Sequence, residues 1–424
     1  MGETKAGAYG LAACGLANVG RQAWNPGEAA LVGPAAAEGE PGAPLTGDDR
    51  FVVQSVAIEG RVAWSEHNRP FSPTTCSRVW GRVQAALQGR DVVVVDGFAG
   101  TDPDDRIAVR VVADRAIDAL QATRWLQPAG GAAFLPELTA VVAAGLQASP
   151  EIDGTAGRRF GILDIDRGLV LIGGPCAPSE LSDAIAKAAG FARSREGVLA
   201  LPGAAGVGDA GAALFLGPSG TGRTTLASST GVVVADGALL WTGEGLEPLG
   251  PGRAAGHPAH VAILVADATG TLPALARLTP VQAAAWFAAG YAAQRDRVAT
   301  GETADAGLAF SAGCGARFHV VPPAVAVDRL LAKLHRHAPS CWLVDTGWPD
   351  GAARRPVAAT RALLADAFAG RLGGGRVDPT FGFEVPAGVA VGTTDGAGLR
   401  RRFADALARI PGLDAAVRGA LPAI

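Results

Sequence analysis

No uninterrupted apolar stretch in this 424-residue chain is long enough to cross a bilayer, although hydrophobic residues make up 49% of it. Much of that fraction is alanine, so a membrane-spanning helix is not expected. A strong charge of either sign is also missing. The net charge is −3 and the pI near 6.1, which argues against a nucleic-acid surface or an anionic-membrane surface. Cysteine pairs are absent too: Cys14, Cys76, Cys176, Cys314 and Cys341 are widely spaced, with no two at metal-ligand or redox spacing. An odd, scattered set suits a reducing compartment and mostly buried thiols. Histidine offers little more. His335 and His337 are two apart, a spacing that shares a face on a strand but not on a helix, so they read as solvated residues near a helix end and not as a zinc site. The start, Met1 to Ala6, lacks a signal-peptide core and the hydroxyl residue of a myristoylation site. The expectation is a cytoplasmic protein.

What is present is an alternation of strand-like runs with alanine-rich amphipathic segments, the pattern of an α/β architecture. Strand runs include Phe51-Val52-Val53, Val92 to Val95, Leu169 to Ile172, Val261 to Val265 and Trp342-Leu343-Val344. Helices are expected at Ser77 to Leu87, Ser179 to Ala189, Pro280 to Ala293, Ala324 to His335, Val357 to Ala369 and Leu399 to Ala408. The first follows Ser72-Pro73-Thr74-Thr75, a helix-starting signal. Loop signals rich in glycine, proline or alanine fall at 25–47, 128–131, 202–211, 243–258 and 371–376. The length has room for two or three domains, and a natural division places an amino-terminal α/β domain at 1–197 and a nucleotide-binding domain at 198–424.

That division rests on residues 217–225, Gly-Pro-Ser-Gly-Thr-Gly-Arg-Thr-Thr. The apolar run Ala212 to Leu216 precedes them and a helix-compatible segment from Thr224 to Ala227 follows. Strand, glycine-rich turn and helix form the setting of a phosphate-binding loop, in which backbone N–H groups converge on phosphate at a helix start. Ser219, Gly220, Thr221, Gly222, Arg223, Thr224 and Thr225 are the candidate phosphate-cradling residues. The position that carries lysine in such loops is Arg223, a planar fork in place of a point charge. Thr224 supplies the hydroxyl that ligates magnesium, and the strand run Val232 to Ala235 ends in Asp236, a second candidate ligand. An ordinary glycine-rich turn is the competing reading. The two flanks and Asp236 favour phosphate.

With those motifs in view, the chain resembles the ATP-dependent phosphoenolpyruvate carboxykinase family. The resemblance runs through Val62-Ala63-Trp64 with Asn68 to Pro73, Val94 to Gly100 with Asp102-Pro103 and Arg106, and Leu171 to Gly174. It continues through Ser219 to Gly222, Ala266-Asp267-Ala268, Leu272-Pro273, Leu278-Thr279-Pro280, Phe310-Ser311-Ala312 and Thr346-Gly347-Trp348. It implies a two-domain carboxykinase-like α/β fold with a phosphate-loop carboxy-terminal domain, binding ATP or ADP and magnesium. It also implies that Ser219 through Thr225 hold the phosphates, that Thr224 and Asp236 hold the metal, and that Arg355 and Thr360 contact the base and ribose side. Arg354 and Arg355 as a solvated surface turn remain the alternative.

The resemblance stops at the carboxylate substrate. Pro44-Leu45-Thr46-Gly47-Asp48 stands where the family has Gly-Arg-Ser-Pro-Lys, and Pro175 to Asp183 replaces its tyrosine-and-lysine segment without a lysine. The family's metal-binding histidine aligns with Pro202 and its second metal-binding acid with Gly237. A family insert with a further substrate-binding arginine is missing between Trp241 and His257. Decarboxylating the oxaloacetate dianion develops an enolate that needs cations and a divalent metal, and Leu45, Ala177, Ser182, Asp183, Pro202 and Gly237 provide none. Three expectations follow, in order: a nucleotide-binding protein that has lost the family reaction and its manganese site, regulating or scaffolding an unknown protein partner; a kinase for another small-molecule acceptor, bound near Leu45, Cys176 and Asp183 with Glu180 or Asp183 as base; and an active carboxykinase. Arg223 and Asp236 are the catalytic candidates in the second.

Overall fold

The computed structural model describes residues 10–130, 134–194, 197–293, 308–349, 353–392 and 394–422. The start at Met1 to Ala6, the end of the 128–131 loop signal and residues 350–352 lie outside the described residues. The chain divides into two compact units, Met1–Arg195 with Leu249–Pro251, and Glu196–Pro248 with Gly252–Ile424.

The first unit is built on a mixed nine-stranded sheet. Its strands are β1 (Gln22–Trp24), β2 (Arg50–Val53), β3 (Arg69–Phe71), β4 (Val92–Ala99), β5 (Ile107–Ala113), β6 (Gln127–Pro128), β7 (Leu138–Ala143), β8 (Phe160–Asp164) and β9 (Leu169–Gly173). They run in the order β1-β4-β5-β7-β9-β8-β2-β3, with β6 attached to β4. β5 and β9 are buried along their whole length, as expected of central strands covered on both faces. The helix Pro73–Leu87 buries Cys76, Val79, Val83 and Leu87, one face at helical spacing, and these join the same apolar cluster as Val94, Val112, Val141 and Leu171. It begins four residues earlier than the spacing predicts because Pro73 occupies the first turn, where its missing N–H costs nothing. Within the sheet, Asp96 and Arg110 face each other on β4 and β5 and form a buried two-pronged ion pair at 2.7 and 2.9 Å.

The second unit has its own nine-stranded sheet: β10 (Leu199–Gly208), β11 (Gly211–Leu216), β12 (Val232–Trp241), β13 (Leu246–Pro248), β14 (His260–Val265), β15 (Leu275–Leu278), β18 (Ser340–Asp345), β19 (Gly375–Val377) and β20 (Glu384–Pro386). β16 (Tyr291–Ala293) and β17 (Leu308–Phe310) pair separately. The order is β13-β12-β10-β11-β14-β18-β15-β20-β19, with β11, β14 and β18 parallel at the centre. This places the ends of β11 and β18 side by side with β14, and the site grows from those ends.

Several sequence expectations need correction here. Residues 202–211 form most of β10 and its turn, not a loop; alanine and glycine suit a strand crowded by its neighbours, since a Cβ on Gly206 would lie 2.2 Å from Thr230 Oγ1. The segment 25–47 contains the helix Glu28–Ala37. The helix from Pro280 stops at Ala289, where Gly290 turns the chain into β16. Asp236 does not end its strand. β12 runs on to Trp241 because β10 pairs with it from Val207↔Val232 to Leu199↔Trp241, across a bulge at Ala205/Gly206. Val232 and Val233 are exposed, not buried. His337 is half-buried and stacks on His257 with ring centroids 3.6 Å apart, while His335 is exposed.

Candidate functional site

The turn after β11 departs from regular structure at Gly217 and re-enters it in a short helix, Arg223–Ala227. Gly220 and Gly222 have φ of +84° and +90°, the left-handed region that glycine enters without penalty. Thr221 is buried and closes the turn, its hydroxyl donating to the Pro218 carbonyl at 2.8 Å. Residues 219–226 line a cavity of about 610 Å³ whose other wall is Thr346, Arg354, Arg355, Pro356, Val357 and Thr360. That volume lies within the usual range of small-molecule sites.

Two polar atoms in this wall are buried and have no hydrogen-bond partner, Arg223 Nη1 and Thr360 Oγ1. Burial pushes the Arg223 guanidinium below its ordinary pKa, against the opposing influence of Cys314 and Asp236. Thr360 sits in the first turn of the helix Val357–Phe368 and is 2% exposed. Next to Arg223, the Thr224 hydroxyl donates to Asp236 Oδ1 at 3.0 Å, and both residues are exposed. Two hard oxygen donors at that separation fit a magnesium ion.

The two adjacent arginines separate. Arg355 lines the cavity, yet its guanidinium is held on Asp345, donating from Nε to the backbone carbonyl at 3.1 Å and standing 3.5 Å from the carboxylate. Arg354 is the one that reaches the loop, donating from Nη2 to the Gly220 carbonyl at 2.5 Å and from Nε to the Thr346 carbonyl at 2.9 Å. Thr346 in turn donates to the Thr221 carbonyl at 3.0 Å. Sequence reasoning passed over Arg354 and Thr346 as loop contacts. The adjacent arginines were visible, but choosing between them requires knowing that Asp345 takes the second.

On β10 and β12, Pro202 faces Ala238 and Gly203 faces Gly237, so Pro202 and Gly237 are diagonal neighbours. Gly237 has φ +94°, where an aspartate would be strained. Among the described residues no three histidine, cysteine, aspartate or glutamate side chains gather at metal-binding distance.

In the first unit, Leu45 is buried and its N–H donates to Glu180 at 3.1 Å. Glu180 is not a solvated helix-face acid: it is 3% exposed and takes Arg50 Nη2 at 2.7 and 2.9 Å. A cavity lined by Leu45, Arg50, Glu180 and Asp183 holds about 40 Å³, enough for a few waters. Cys176 lies outside it, buried and pushed up to about 12 by desolvation.

Known proteins resemble the chain along most of its length. The family model described as phosphoenolpyruvate carboxykinase matches residues 27–252 and 247–393. A phosphoenolpyruvate carboxykinase (ATP) of Geobacter sp. (strain M21) is 31% identical, with 80% of this chain and 78% of that protein aligned. Phosphoenolpyruvate carboxykinase (ATP) 2 of Moorella thermoacetica is 31% identical over 91% of this chain and 89% of its own. The enzyme of Thermus thermophilus is 32% identical over 81% and 80%. No described helix is long and apolar enough to cross a membrane. On this breadth of similarity, the chain belongs to the ATP-dependent phosphoenolpyruvate carboxykinase family.

Proposed function

We propose that this chain binds ATP or ADP with magnesium on residues 219–225, and that it has lost oxaloacetate decarboxylation and phosphorylation, serving as a nucleotide-dependent regulator or scaffold. The observation that carries the nucleotide reading is the pair of buried, partnerless donors, Arg223 Nη1 and Thr360 Oγ1, in the wall of the cavity over the loop. A buried polar group left unbonded needs a partner, whether water, ion or ligand, and among the described residues with such atoms only these two line the cavity over the loop. Phosphate oxygens suit the guanidinium and a ribose or base acceptor suits the hydroxyl. Thr224 and Asp236 would hold magnesium, which when bound offsets charge on the phosphates.

The loss of the parent reaction is supported by the other positions. Leu45 puts an apolar side chain where the family has a carboxylate-binding arginine, and Pro202 and Gly237 remove two metal ligands from adjacent strands. Losing one such electrostatic stabiliser costs a few kcal/mol of transition-state binding, and several are gone together. Glu180 is engaged by Arg50 and is a poor general base for an alternative acceptor.

A calorimetric titration of ATP and ADP, with and without magnesium, on the wild type and Arg223→Lys tests the first half. Absence of binding by both proteins sinks it. Formation of phosphoenolpyruvate from oxaloacetate and ATP in the presence of manganese refutes the second half, and ATP turnover stimulated by a metabolite mixture moves the assignment to a kinase.

A further inference from the structure

The residues after β18 form a brace on the phosphate loop. From 346–349 and 353–361 come three donors to loop and helix backbone: Thr346 Oγ1, its one proton shared between the Thr221 and Val265 carbonyls, each at 3.0 Å, Arg354 Nη2 to the Gly220 carbonyl at 2.5 Å, and Arg361 Nη2 to the Thr225 carbonyl at 3.1 Å. The brace is anchored at its base by one side chain. Asp345 Oδ1 accepts the N–H of Gly347 and that of Asp267, each at 2.9 Å, and its other oxygen lies 3.5 Å from Arg355 Nη2. Arg355 closes the anchor by donating its backbone N–H to the Gly347 carbonyl at 2.7 Å. Asp345 is 1% exposed.

We infer that Asp345 is a positioning residue for nucleotide binding: its ionised carboxylate holds Arg355 and Gly347, and thereby Thr346 and Arg354, so that the loop carbonyls are drawn back and the loop N–H groups face the cavity. The inference rests on the proposed nucleotide reading of that cavity. The charged or titratable groups around Asp345 are few. Asp267 follows β14 and is itself saturated by the N–H groups of Thr269, Thr271 and Leu272 and the Tyr291 hydroxyl. Tyr291 of β16 stays protonated, its pKa raised by burial and by Asp267. Ala274, just before β15, accepts the Asp345 N–H with its carbonyl at 3.2 Å. Arg355 is the one cation facing the carboxylate among the described residues.

Burial, helped by Asp267 and opposed by the two N–H bonds and Arg355, pushes Asp345 up to about 6. The anchor is therefore charged above that pH and neutral below it. A neutral carboxyl keeps the two N–H bonds and gives up the ion pair with Arg355. The brace then loses its fixed base, and nucleotide affinity falls.

The test compares the dissociation constant of magnesium–ADP for wild type and Asp345→Asn between pH 8 and pH 5.5. The nucleotide's own protonation is common to both and cancels in the ratio. The variant should bind about tenfold more weakly at pH 8, the loss of one charge-assisted contact, and the ratio should shrink to about threefold by pH 5.5, where roughly a quarter of Asp345 is still charged. A ratio that stays constant across the range overturns the inference. Arg355→Met is the second variant, and it must lose the same pH-dependent step; retention of the wild-type profile overturns the inference equally. Hydrogen exchange of the 217–223 amides in nucleotide-free protein separates this from the underlying reading. A loss of protection in wild type on acidification, with each rate divided by the intrinsic rate at that pH, that is absent in Asp345→Asn supports the positioning role even if no nucleotide binds at pH 8, an outcome that would sink the nucleotide reading alone. Identical exchange in both proteins refutes the positioning role.

Discussion

Arg223 and Thr360 are costly residues in the free protein. A guanidinium nitrogen and a hydroxyl, both buried without a partner, each forfeit hydration and gain no bond in return. Thr360→Val keeps the shape and removes the orphan, so it should stabilise the nucleotide-free protein by about 1 kcal/mol in urea denaturation while weakening ADP binding. Arg223→Met should do the same with a larger loss of affinity, roughly tenfold to a hundredfold for a charge-assisted bond to phosphate. A drop in stability with unchanged affinity in both variants would mark them as packing residues instead. Some of the geometry was legible in the chain alone: the glycine spacing marks a tight turn between strand and helix, and Gly220 and Gly222 take positive φ there. Thr224 and Asp236, singled out together in the sequence, lie 3.0 Å apart. Arg354 was not legible, because only the Asp345 carboxylate distinguishes it from its neighbour.

At the scale of elements, runs of apolar residues located the central strands β9, β14 and β18, which are buried on both faces and need little else, but missed the equally buried β5. Small residues misled. Alanine and glycine in 202–211 look like a loop in sequence but make a strand, because their reason is the closeness of Thr230 and of β11 and β12, a tertiary fact. Gly290 shows the reverse case. Alanine-rich sequence on both sides suggests one helix to residue 293, yet this glycine has φ +57°, and a Cβ on it would lie 1.9 Å from the Ser311 carbonyl oxygen. Gly290→Ala must therefore strain the backbone and displace the 311–314 turn, whose Cys314 touches the Phe287 carbonyl. A loss of at least about 2 kcal/mol in chemical denaturation is expected. A change below about 0.5 kcal/mol would mean that the helix simply extends through this position.

Over the whole molecule, buried carboxylates set an unusual pH response. Asp118, Asp164 and Asp345 are all pushed up, in each case chiefly by burial. A carboxyl whose folded pKa is raised binds its proton more tightly folded than unfolded, so its contribution to stability is complete below the unfolded value and is lost as pH rises through the folded one. His260 works in the opposite sense: burial lowers its pKa, so its contribution is present above the ordinary histidine value and is lost as pH falls. The net slope thus mixes signs, but a variant isolates one group. For Asp345, with a folded value of about 6 against 3.8 unfolded, acidification from pH 7.5 to 4.5 should make the wild type gain about 2 kcal/mol relative to Asp345→Asn. Urea denaturation of the two nucleotide-free proteins at both pH values measures it, and an unchanged difference would show that Asp345 is not the group that titrates. The direction has a functional meaning. Near neutrality the free protein carries a charged Asp345, a desolvated Arg223 and an unbonded Thr360 together in one region of the second unit, each against its own stability. On the proposed nucleotide reading an anion would bond Arg223 and Thr360 directly, whereas Asp345, itself an anion and outside the cavity wall, acts through Arg355 and the loop brace; nucleotide should therefore raise stability most above pH 6, where that brace is charged.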